Sequence, residues 1–553
     1  MSIRTGHSEA TFNPHILIVD PTKEQYQRRP IGLLFNPRIP SLAISISRST
    51  SQLAETASLA AGVDTFYLIF AGALVYFMQT GFAMLCAGSI RAKNVKNVIL
   101  WNLLDSCGGG LAFWAVGYAF AYGGDNDGTS KTFIGNSGFF LANGEVEFHN
   151  WFFQFAFACA LSSIVAGTIA ERTQMLAYLF YSVFLVGFCY PVVAHAFWSP
   201  RGIFSAGAAE PLWGSGAIDL AGSGPVHMTG GVCALVAAII LGPRRGRFHD
   251  LDGNPLEEPH DFPPHSVALQ FLGTFCLWFG WYGFNPGSTL YISSNQFGEV
   301  AALVAVNTTL SACAGAVSAM FTSTFFDWRK TGVATYDLGY TMNGCLTGLV
   351  AVTAGCATVE PWAGVAIGVM AGWLYLAASK LLIMLRIDDA VDAIPVHMVG
   401  GAWGVIATGL FTNANRLQAA FGTSEHIGWF YSWGRGSGDF TLLGIQLLAV
   451  LFIFAWTGVI MGAFFFMLNL FGMLRIDPLE EEVGMDISRH KGSAYDINNA
   501  PEAAVDALNL SRSGHGPRTS GASKTVSGAM KDDSANPDAT ATAAAKVNEE
   551  CDA

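Results

Sequence analysis

Residues 219–231 read Asp-Leu-Ala-Gly-Ser-Gly-Pro-Val-His-Met-Thr-Gly-Gly and bring a carboxylate, a glycine-rich turn and a histidine to the start of a long apolar segment. Residues 396–401 repeat the core of this stretch as Val-His-Met-Val-Gly-Gly, and an Asp lies eight residues before each histidine. His227 and His397 are thus offset by 170 residues (397 − 227). Chance similarity of two glycine-rich helices is the alternative, but recurrence of both His and Asp in register favours an internal duplication, which is typical of secondary transporters.

The composition places the chain among integral membrane proteins. Of its 553 residues, 52% are hydrophobic and only 13% are charged, about half the charged share of a soluble domain. The net charge of −12, without a basic cluster, argues against nucleic acid as a partner. Nearly all the cysteines fall in apolar segments without C-x-x-C spacing, which favours packing roles over metal binding or disulfides.

Eleven apolar segments come close to the roughly 20 residues that cross the hydrocarbon core of a bilayer. Short polar loops with Gly and Pro separate them. The sequence therefore predicts an all-α polytopic membrane protein. The predicted spans are residues 65–90, 97–122, 151–169, 174–197, 223–242, 265–286, 299–326, 336–357, 361–384, 392–412 and 439–472.

Two five-helix units account for the duplicated motif. His227 lies in the fifth span and His397 in the tenth, which are equivalent positions in spans 1–5 and 6–10. Because five is odd, the second unit must enter the membrane with the opposite orientation, as in other inverted-repeat transporters. The eleventh span lies outside the repeat.

Lysine and arginine are unevenly divided between alternate loops. The richer set is expected to be cytoplasmic, which predicts an external N-terminus and a cytoplasmic C-terminus. The basic residues of the N-terminal extension favour the opposite orientation. Basic residues in long segments, however, have little influence on the orientation of a membrane protein. The richer set comprises Arg91, Lys93, Lys96, Arg172, Arg244, Arg245, Arg247, Arg329, Lys330 and Arg386.

The two ends differ in composition from the membrane domain, residues 61–472. Residues 1–60 are polar, lack the order of a secretory signal and are predicted to form a poorly ordered extension. Residues 473–498 are charged and are predicted to be cytoplasmic. Residues 499–553 are rich in Ala, Ser, Asp, Gly and Thr with few large apolar side chains, so we predict a disordered tail.

Four groups of residues carry a resemblance to a known family. They are residues 218–231 (IDLAGSGPVHMTGG), 278–288 (WFGWYGFNPGS), 388–401 (DDAVDAIPVHMVGG) and 484–495 (GMDISRHKGSAY). Over about residues 60–495 the chain resembles the ammonium transporter family (Amt/Mep/Rh), most closely its plant-type branch. The resemblance implies a homotrimer of eleven-helix subunits that takes up ammonium or methylammonium at the plasma membrane. A plastid envelope is the alternative if the extension is cleaved.

The two histidines are the main candidates for chemistry. A histidine inside a membrane segment is costly and by default marks a functional site, and the pseudo-twofold axis of an inverted repeat would bring His227 and His397 together. Two neutral imidazoles can share one proton and offer their outer nitrogens to a small amine. The resemblance identifies them with the pore-lining twin histidines of the family. Two histidines without a third ligand do not indicate a metal site, and the sequence predicts no cofactor.

The resemblance also implies a route to this pair. Trp198, Ser288 and Phe157 match the extracellular recruitment site of the family, Phe157 and Phe284 match its stacked gate, and Trp281 matches a pore-wall residue below. Aromatic faces attract ammonium by cation–π interaction, more strongly where water is partly excluded. Packing is the alternative role for any one of these aromatic residues.

Asp219 has two interpretations. Its carboxylate could pair directly with ammonium, or its place at a helix start among Gly and Ser could order the turn by binding backbone N–H groups. The resemblance implies an indirect role behind the recruitment site, and we favour that role.

Residues 484–490 (GMDISRH) resemble the segment through which plant-type subunits couple their pores, so residues 473–498 are predicted to be regulatory. The family usually carries Thr where Ser488 stands, and serine can also be phosphorylated. A phosphate there would add about two negative charges beside acidic residues 480–482 and 486 and release the segment, which makes a kinase an implied partner. A solvated linker is the alternative.

Three functions remain open from the sequence. The first is transport, in which captured ammonium loses a proton, ammonia passes the gate, and K⁺ is excluded because it has no proton to lose. The second is an Rh-type ammonia channel, against which Trp198 and Ser288 argue. The third is an ammonium sensor that signals through the tail. The sequence shows no nucleophile–base pair, phosphate loop or metal cluster that would indicate an enzyme.

Overall fold

The computed structural model describes residues 39–124, 130–142, 146–250 and 252–495, with side chains from residue 52 onward. The chain divides into Met1–Ala61 and Gly62–Ala553, and the second unit holds the contacts discussed below. The first helix begins at Ile39, within the extension predicted to be poorly ordered. Residues 41–61 contain neither Gly nor Pro, the two residues that most oppose helix formation. The predictions for residues 1–38 and 499–553 lie outside the described residues.

The described chain is helical, with isolated bridges in place of strands. Among the residues that the structure describes, ten helices are long and apolar enough to cross a membrane, and an eleventh apolar helix is shorter. The predicted all-α fold of about eleven membrane helices is therefore confirmed. These helices are α1 (Ile39–Ser89), α2 (Ala92–Tyr122), α3 (Phe148–Ile169), α4 (Met175–Trp198), α5 (Ser223–Leu241), α6 (Val267–Gly287), α7 (Asn295–Thr331), α8 (Leu338–Val352), α9 (Pro361–Met384), α10 (Ile394–Phe411) and α11 (Thr441–Leu470).

Short elements interrupt or connect these helices. Helix α8 ends before the predicted residue 357 because buried turns follow Val352. π-Helical segments lie within α2 and α4 and at the starts of α5 and α10: Phe113–Gly117, Leu185–Cys189, Ser223–Met228 and Ile394–Val399. The remaining elements are the 3₁₀ segments Ala92–Asn94, Phe139–Leu141 and Leu212–Gly214 and the helices Ala414–Phe421, Trp429–Gly434, Pro478–Val483 and Met485–His490.

The duplicated motif adopts the same local structure twice. Ser223–Met228 and Ile394–Val399 are both π-helical, and each contains a proline two residues before its histidine. Proline lacks the N–H group that an α-helical hydrogen bond would need. The N–H of His227 instead donates to the carbonyl of Gly222, five residues back. The wider turn is thus a property of the repeated sequence.

The two copies pack against each other through their second glycines. A Cβ atom on Gly231 would collide with the backbone nitrogen of Met398, and one on Gly401 would lie 2.8 Å from the backbone nitrogen of Met228. Both residues of the second pair are offset by 170 from their counterparts in the first, so the contact is reciprocal. Reciprocal contacts between equivalent residues are the mark of a twofold axis. This close approach explains why both copies carry Gly-Gly.

Buried charges join the loops at one end of the bundle, which we call the basic face. Arg244, after α5, pairs at 2.8 Å with Glu171, after α3, and at 2.8 Å with Asp388, after α9. Arg91, after α1, also pairs with Glu171. Burial raises the pKa of Asp388, but the charges of Arg172 and Arg244 lower it more, so the net pKa lies below the ordinary value. The network therefore holds four loops together with ionised groups.

We expect Gly231→Ala to lower the melting temperature of the full-length protein in detergent. The added methyl would overlap the backbone at Met398, and overpacking of this kind costs about 1–3 kcal/mol. Gly462→Ala, in α11, is the matched control because no atom lies within 4 Å of its added methyl group. Equal melting temperatures for the two variants would contradict the close approach of the repeats.

Candidate functional site

The structure brings the two repeat-related histidines together. The Nδ1 atoms of His227 and His397 lie 3.3 Å apart, and the ring centroids lie 5.3 Å apart with planes inclined by 23°. Both side chains are buried. Contact between two Nδ1 atoms requires one ring to donate and the other to accept, so the rings hold different tautomers at any moment. The Nε2 atom of His227 is buried and has no partner among the described residues.

Aromatic rings form a column on one side of this pair. The rings of Phe157 and Phe284 stack with centroids 4.0 Å apart and planes inclined by 20°. Phe284 lies 5.3 Å from the His227 ring, and Trp281 stacks on His227 at 5.0 Å. All three aromatic side chains are almost completely buried. The two phenylalanines leave no gap at this separation, so passage requires one ring to move.

Trp198 and Ser288 lie at the outer end of the column, and both are partly exposed. The Trp198 ring is edge-on to Phe157 at 6.2 Å, and its Nε1 donates to the carbonyl of Asp219 at 2.9 Å. The Ser288 hydroxyl donates to the carbonyl of Phe284 at 2.8 Å. The Trp198 N–H is therefore already bonded, which leaves the ring face free to contact a cation. The Ser288 oxygen still has lone pairs that can accept a hydrogen bond.

Asp219 binds backbone groups of the turn that starts α5. Its buried carboxylate accepts hydrogen bonds from the N–H groups of residues 222, 223 and 224 at 2.6, 3.2 and 2.8 Å. Asp389 accepts from the N–H of Ile394 at 2.7 Å, five residues on, as Asp219 does from Gly224. Both carboxylates thus order the π-helical turn that carries a histidine. Through its carbonyl, Asp219 also fixes the orientation of Trp198.

A narrow cavity continues beyond the histidines. Phe82, Ser163 and Val391 line it together with His397. The cavity has room for about one water-sized molecule. Ammonia is of similar size, so the cavity fits a single molecule of it.

A sequence model of the Ammonium Transporter Family matches residues 65–495. The chain belongs to this family. It is 41% identical over 452 residues to ammonium transporter 1 member 3 of Solanum lycopersicum, covering 80% of this chain and 95% of that one. It is 44% identical over 426 residues to putative ammonium transporter 1 member 5 of Arabidopsis thaliana, covering 74% and 82%. The predicted family and its plant-type character are confirmed.

Solved structures of the family have the same fold. A protein named Sensor Amt Protein is 32% identical with a TM-score of 0.65, covering 78% of this chain and 99% of its own. Saccharomyces cerevisiae Mep2 is 25% identical with a TM-score of 0.66, covering 79% and 93%. Both structures are similar to the chain over nearly their whole length. The curated relatives described above are named as ammonium transporters, which are transport proteins rather than enzymes.

The described C-terminal segment lies against the basic face. The Asp486 carboxylate accepts hydrogen bonds from the N–H groups of Lys96 and Asn97, both at 3.1 Å, near the start of α2. Glu481 pairs with Arg475 at 2.8 Å. Ser488 is buried, and its hydroxyl has no partner among the described residues. A kinase could therefore reach Ser488 only after the segment leaves this surface.

Sequence reasoning missed three residues beside the histidine pair and its cavity. Thr353 accepts the indole N–H of Trp281 at 3.0 Å, and the Phe82 ring lies 6.3 Å from His397. Nothing in the sequence distinguishes Thr353 or Phe82, because Phe and Thr recur throughout the spans. The third residue, Asp105, is buried in α2 close to the cavity-lining Ser163 and does stand out in the sequence. It is a carboxylate inside a predicted span and could have been singled out on that ground.

We expect Asp219→Asn to destabilise the folded protein. An amide offers one oxygen acceptor, so its NH₂ group must face at least one N–H donor of the turn, and an unsatisfied buried donor costs about 1–3 kcal/mol. The measurement is the melting temperature of the full-length variant.

Asp250→Asn is the matched control for that measurement. Asp250 also accepts two backbone N–H groups, those of Asp252 and Asn254, but in an exposed loop. We expect this variant to melt close to the wild type. An unchanged melting temperature for Asp219→Asn would show that the carboxylate does not hold the turn.

Proposed function

We propose that the protein carries ammonium and methylammonium across a membrane through the ring-lined pore between its two repeats. The observation that carries this proposal is the contact of His227 with His397, two polar rings buried between an aromatic gate and a cavity for one small molecule. The names of its relatives support the same substrate.

Recruitment takes place at Trp198, Ser288 and Phe157. The Trp198 face attracts a cation, since ammonium over an aromatic ring gains about 0.5–2 kcal/mol depending on desolvation. The Ser288 oxygen accepts one N–H of the same ion, because its own hydrogen is already bound to Phe284. Asp219 acts indirectly, by holding Trp198 and the turn behind it, since its carboxylate is already bound to three N–H groups.

The Phe157/Phe284 gate selects against ions. A charge within this apolar stack would lose its hydration without a replacement ligand, which is costly in an apolar constriction. Ammonium avoids that cost by leaving its proton behind and passing as neutral ammonia. K⁺ has no proton to lose and is excluded by the same barrier.

The histidine pair receives the ammonia. One ring donates to the other at Nδ1, so the outer nitrogens provide both a donor and an acceptor. Ammonia is both donor and acceptor and can bond to either. Two positive charges on adjacent buried rings would repel each other, so the pair works with no more than one additional proton.

Placement in the membrane follows from the loops. The buried network at the basic face contains Arg91, Arg172 and Arg244, and the Arg-rich side of a membrane protein is ordinarily cytoplasmic. The C-terminal segment docks there and is therefore cytoplasmic, while Trp198 and Ser288 face outside and the N-terminus lies outside. We assign the protein to the plasma membrane, where uptake of external nitrogen takes place.

A homotrimer accounts for the outer surface of the bundle. Helices α7 and α9 border an apolar groove that contains Phe321, Phe325 and Trp373, all exposed in the single chain. Small residues in the same groove, Ala314 and Ser318, allow the close approach that packing between membrane helices needs. A neighbouring subunit, as the family resemblance implies, would cover them.

Sensing is the second candidate function. It is favoured by the 32% identity to the protein named Sensor Amt Protein and by the docked C-terminal segment, which a signalling partner could read. Transport and sensing separate in one respect, because only transport delivers substrate to the other side of the membrane.

We expect saturable, ammonium-competed uptake of labelled methylammonium into cells that lack their own carriers. His227→Ala should lower uptake per molecule of surface protein on the order of tenfold or more, because it removes one of the two buried imidazole rings that would bind ammonia. His426→Ala is the control, since that partly exposed histidine pairs with Asp439 in a loop. Absence of uptake with wild-type protein at the surface would remove transport and place sensing first.

We expect Ser488→Asp to lower methylammonium uptake on the order of tenfold, while Ser488→Ala keeps it close to the wild type. The added carboxylate would be buried two residues from Asp486, and the cost of burying a second negative charge there would drive the segment from its site. Ser493→Asp adds the same charge at a less buried position and should have little effect. Equal uptake in the two aspartate variants would contradict regulation through Ser488.

A further inference from the structure

Helices α1 and α6 make a second reciprocal contact between the two repeats. A Cβ atom on Gly81 of α1 would lie 2.9 Å from the backbone nitrogen of Leu277, and one on Gly283 of α6 would lie 3.3 Å from the backbone nitrogen of Val75. The carbonyl oxygens four residues earlier in each helix lie 3.0 Å and 2.6 Å from the same two positions. The two contacts are related by one offset of 202 residues (283 − 81 and 277 − 75). The twofold relation of the repeats therefore extends to α1 and α6.

The residue after each of these glycines is a buried phenylalanine beside one histidine of the pair. Phe284 lies 5.3 Å from the His227 ring, and Phe82 lies 6.3 Å from the His397 ring. The two phenylalanines have the same offset as the glycines, 202 residues (284 − 82). His227 and His397 are themselves equivalent positions of the repeats. Phe82 is therefore the counterpart of the gate residue Phe284 on the other side of the histidine pair.

The two sides of the histidine pair differ in the second ring. Phe284 is covered by Phe157, with the two centroids 4.0 Å apart, so the outer side is closed by a stack. Among the described residues, the ring that contacts Phe82 is the imidazole of His397. The narrow cavity lies next to Phe82, and Leu346 of α8 forms part of its wall. The inner side thus has one phenylalanine and a cavity where the outer side has two stacked rings.

The size of this cavity separates ammonia from larger amines. It has room for about one water-sized molecule, and aliphatic side chains such as Ile164 and Val396 form much of its wall. Methylamine has a methyl group in place of one hydrogen of ammonia. Protein interiors are close-packed, so an additional methyl group forces side chains out of their preferred rotamers. A site that must accommodate one additional carbon discriminates by roughly 10–200-fold.

We propose that Phe82 determines which neutral amine leaves the histidine pair toward the basic face. This inference rests on the proposed transport function. Ammonia fits the cavity with the Phe82 ring in place, whereas methylamine passes only while the ring is displaced. The two phenylalanines related by the repeat then have different roles. The stack at Phe284 opposes ions, and the single ring of Phe82 discriminates between neutral molecules by their volume.

The test compares two substrates of the same protein. Full-length protein is expressed in cells that lack their own ammonium carriers. Saturated uptake of isotope-labelled ammonium and of labelled methylammonium is measured per molecule of surface protein, and the readout is the ratio of methylammonium to ammonium uptake. We expect Phe82→Leu to raise this ratio on the order of tenfold, because a smaller side chain leaves space for the methyl group. Ammonium uptake should change little, since ammonia already fits.

Phe82→Trp tests the opposite direction. The larger ring fills part of the cavity and should lower the ratio on the order of tenfold. Phe466→Leu is the matched control, because that phenylalanine is exposed on α11, and its ratio should equal that of the wild type. If Phe82→Leu does not reach the surface, Leu346→Val replaces it. That substitution removes one carbon from another wall of the same cavity and should also raise the ratio.

The outcomes separate the two proposals. A variant that only loosens the packing would lower uptake of both substrates together, so an unchanged ratio in Phe82→Leu, or in Leu346→Val where that variant stands in, overturns the role of Phe82. Equal saturated uptake of the two substrates by the wild type also overturns it, because no discrimination would then exist. Both results leave transport intact. Absence of saturable uptake of either substrate overturns transport itself, and the role of Phe82 with it.

Discussion

The reciprocal contact of the two Gly-Gly segments is the constraint on which the site depends. Gly231 against Met398 and Gly401 against Met228 bring α5 and α10 closer than any residue with a Cβ atom would allow. Only at this separation do His227 and His397 contact each other at Nδ1. A polar pair in an apolar bundle satisfies two side chains that would each be costly alone. The close packing of small residues and the chemistry of the pore are therefore one structural feature.

The carboxylates before each histidine support this arrangement. Asp219 and Asp389 hold the N–H groups that the π-helical turns leave unpaired, and a membrane interior offers no water to do so. Asp219 has a second role, because its backbone carbonyl accepts the Trp198 N–H and fixes the orientation of that ring. A side chain that looks suited to bind ammonium directly is thus fully engaged by the backbone. This is why its loss is best detected as a loss of stability.

The repeat could be read from the sequence, and much of the site follows from it. The recurrence of His with Asp at a fixed distance predicted that His227 and His397 meet, and family motifs pointed to Phe157 and Phe284. The ion network of Glu171, Arg244 and Asp388 could not be predicted, because it joins loops that are distant in sequence and carries no spacing signal. Asp105 could be recognised in the sequence as a lone acid in an apolar span, but its hydrogen-bond partners could not, because only the folded bundle brings them together.

The aromatic lining beside the histidines limits what can reach them. The gate and its ring column offer faces without hydrogen-bond partners, which suits a neutral molecule and opposes a proton, because a proton moves only between groups that can bind it. A pore apolar enough to reject K⁺ is also too apolar to carry the proton taken from ammonium.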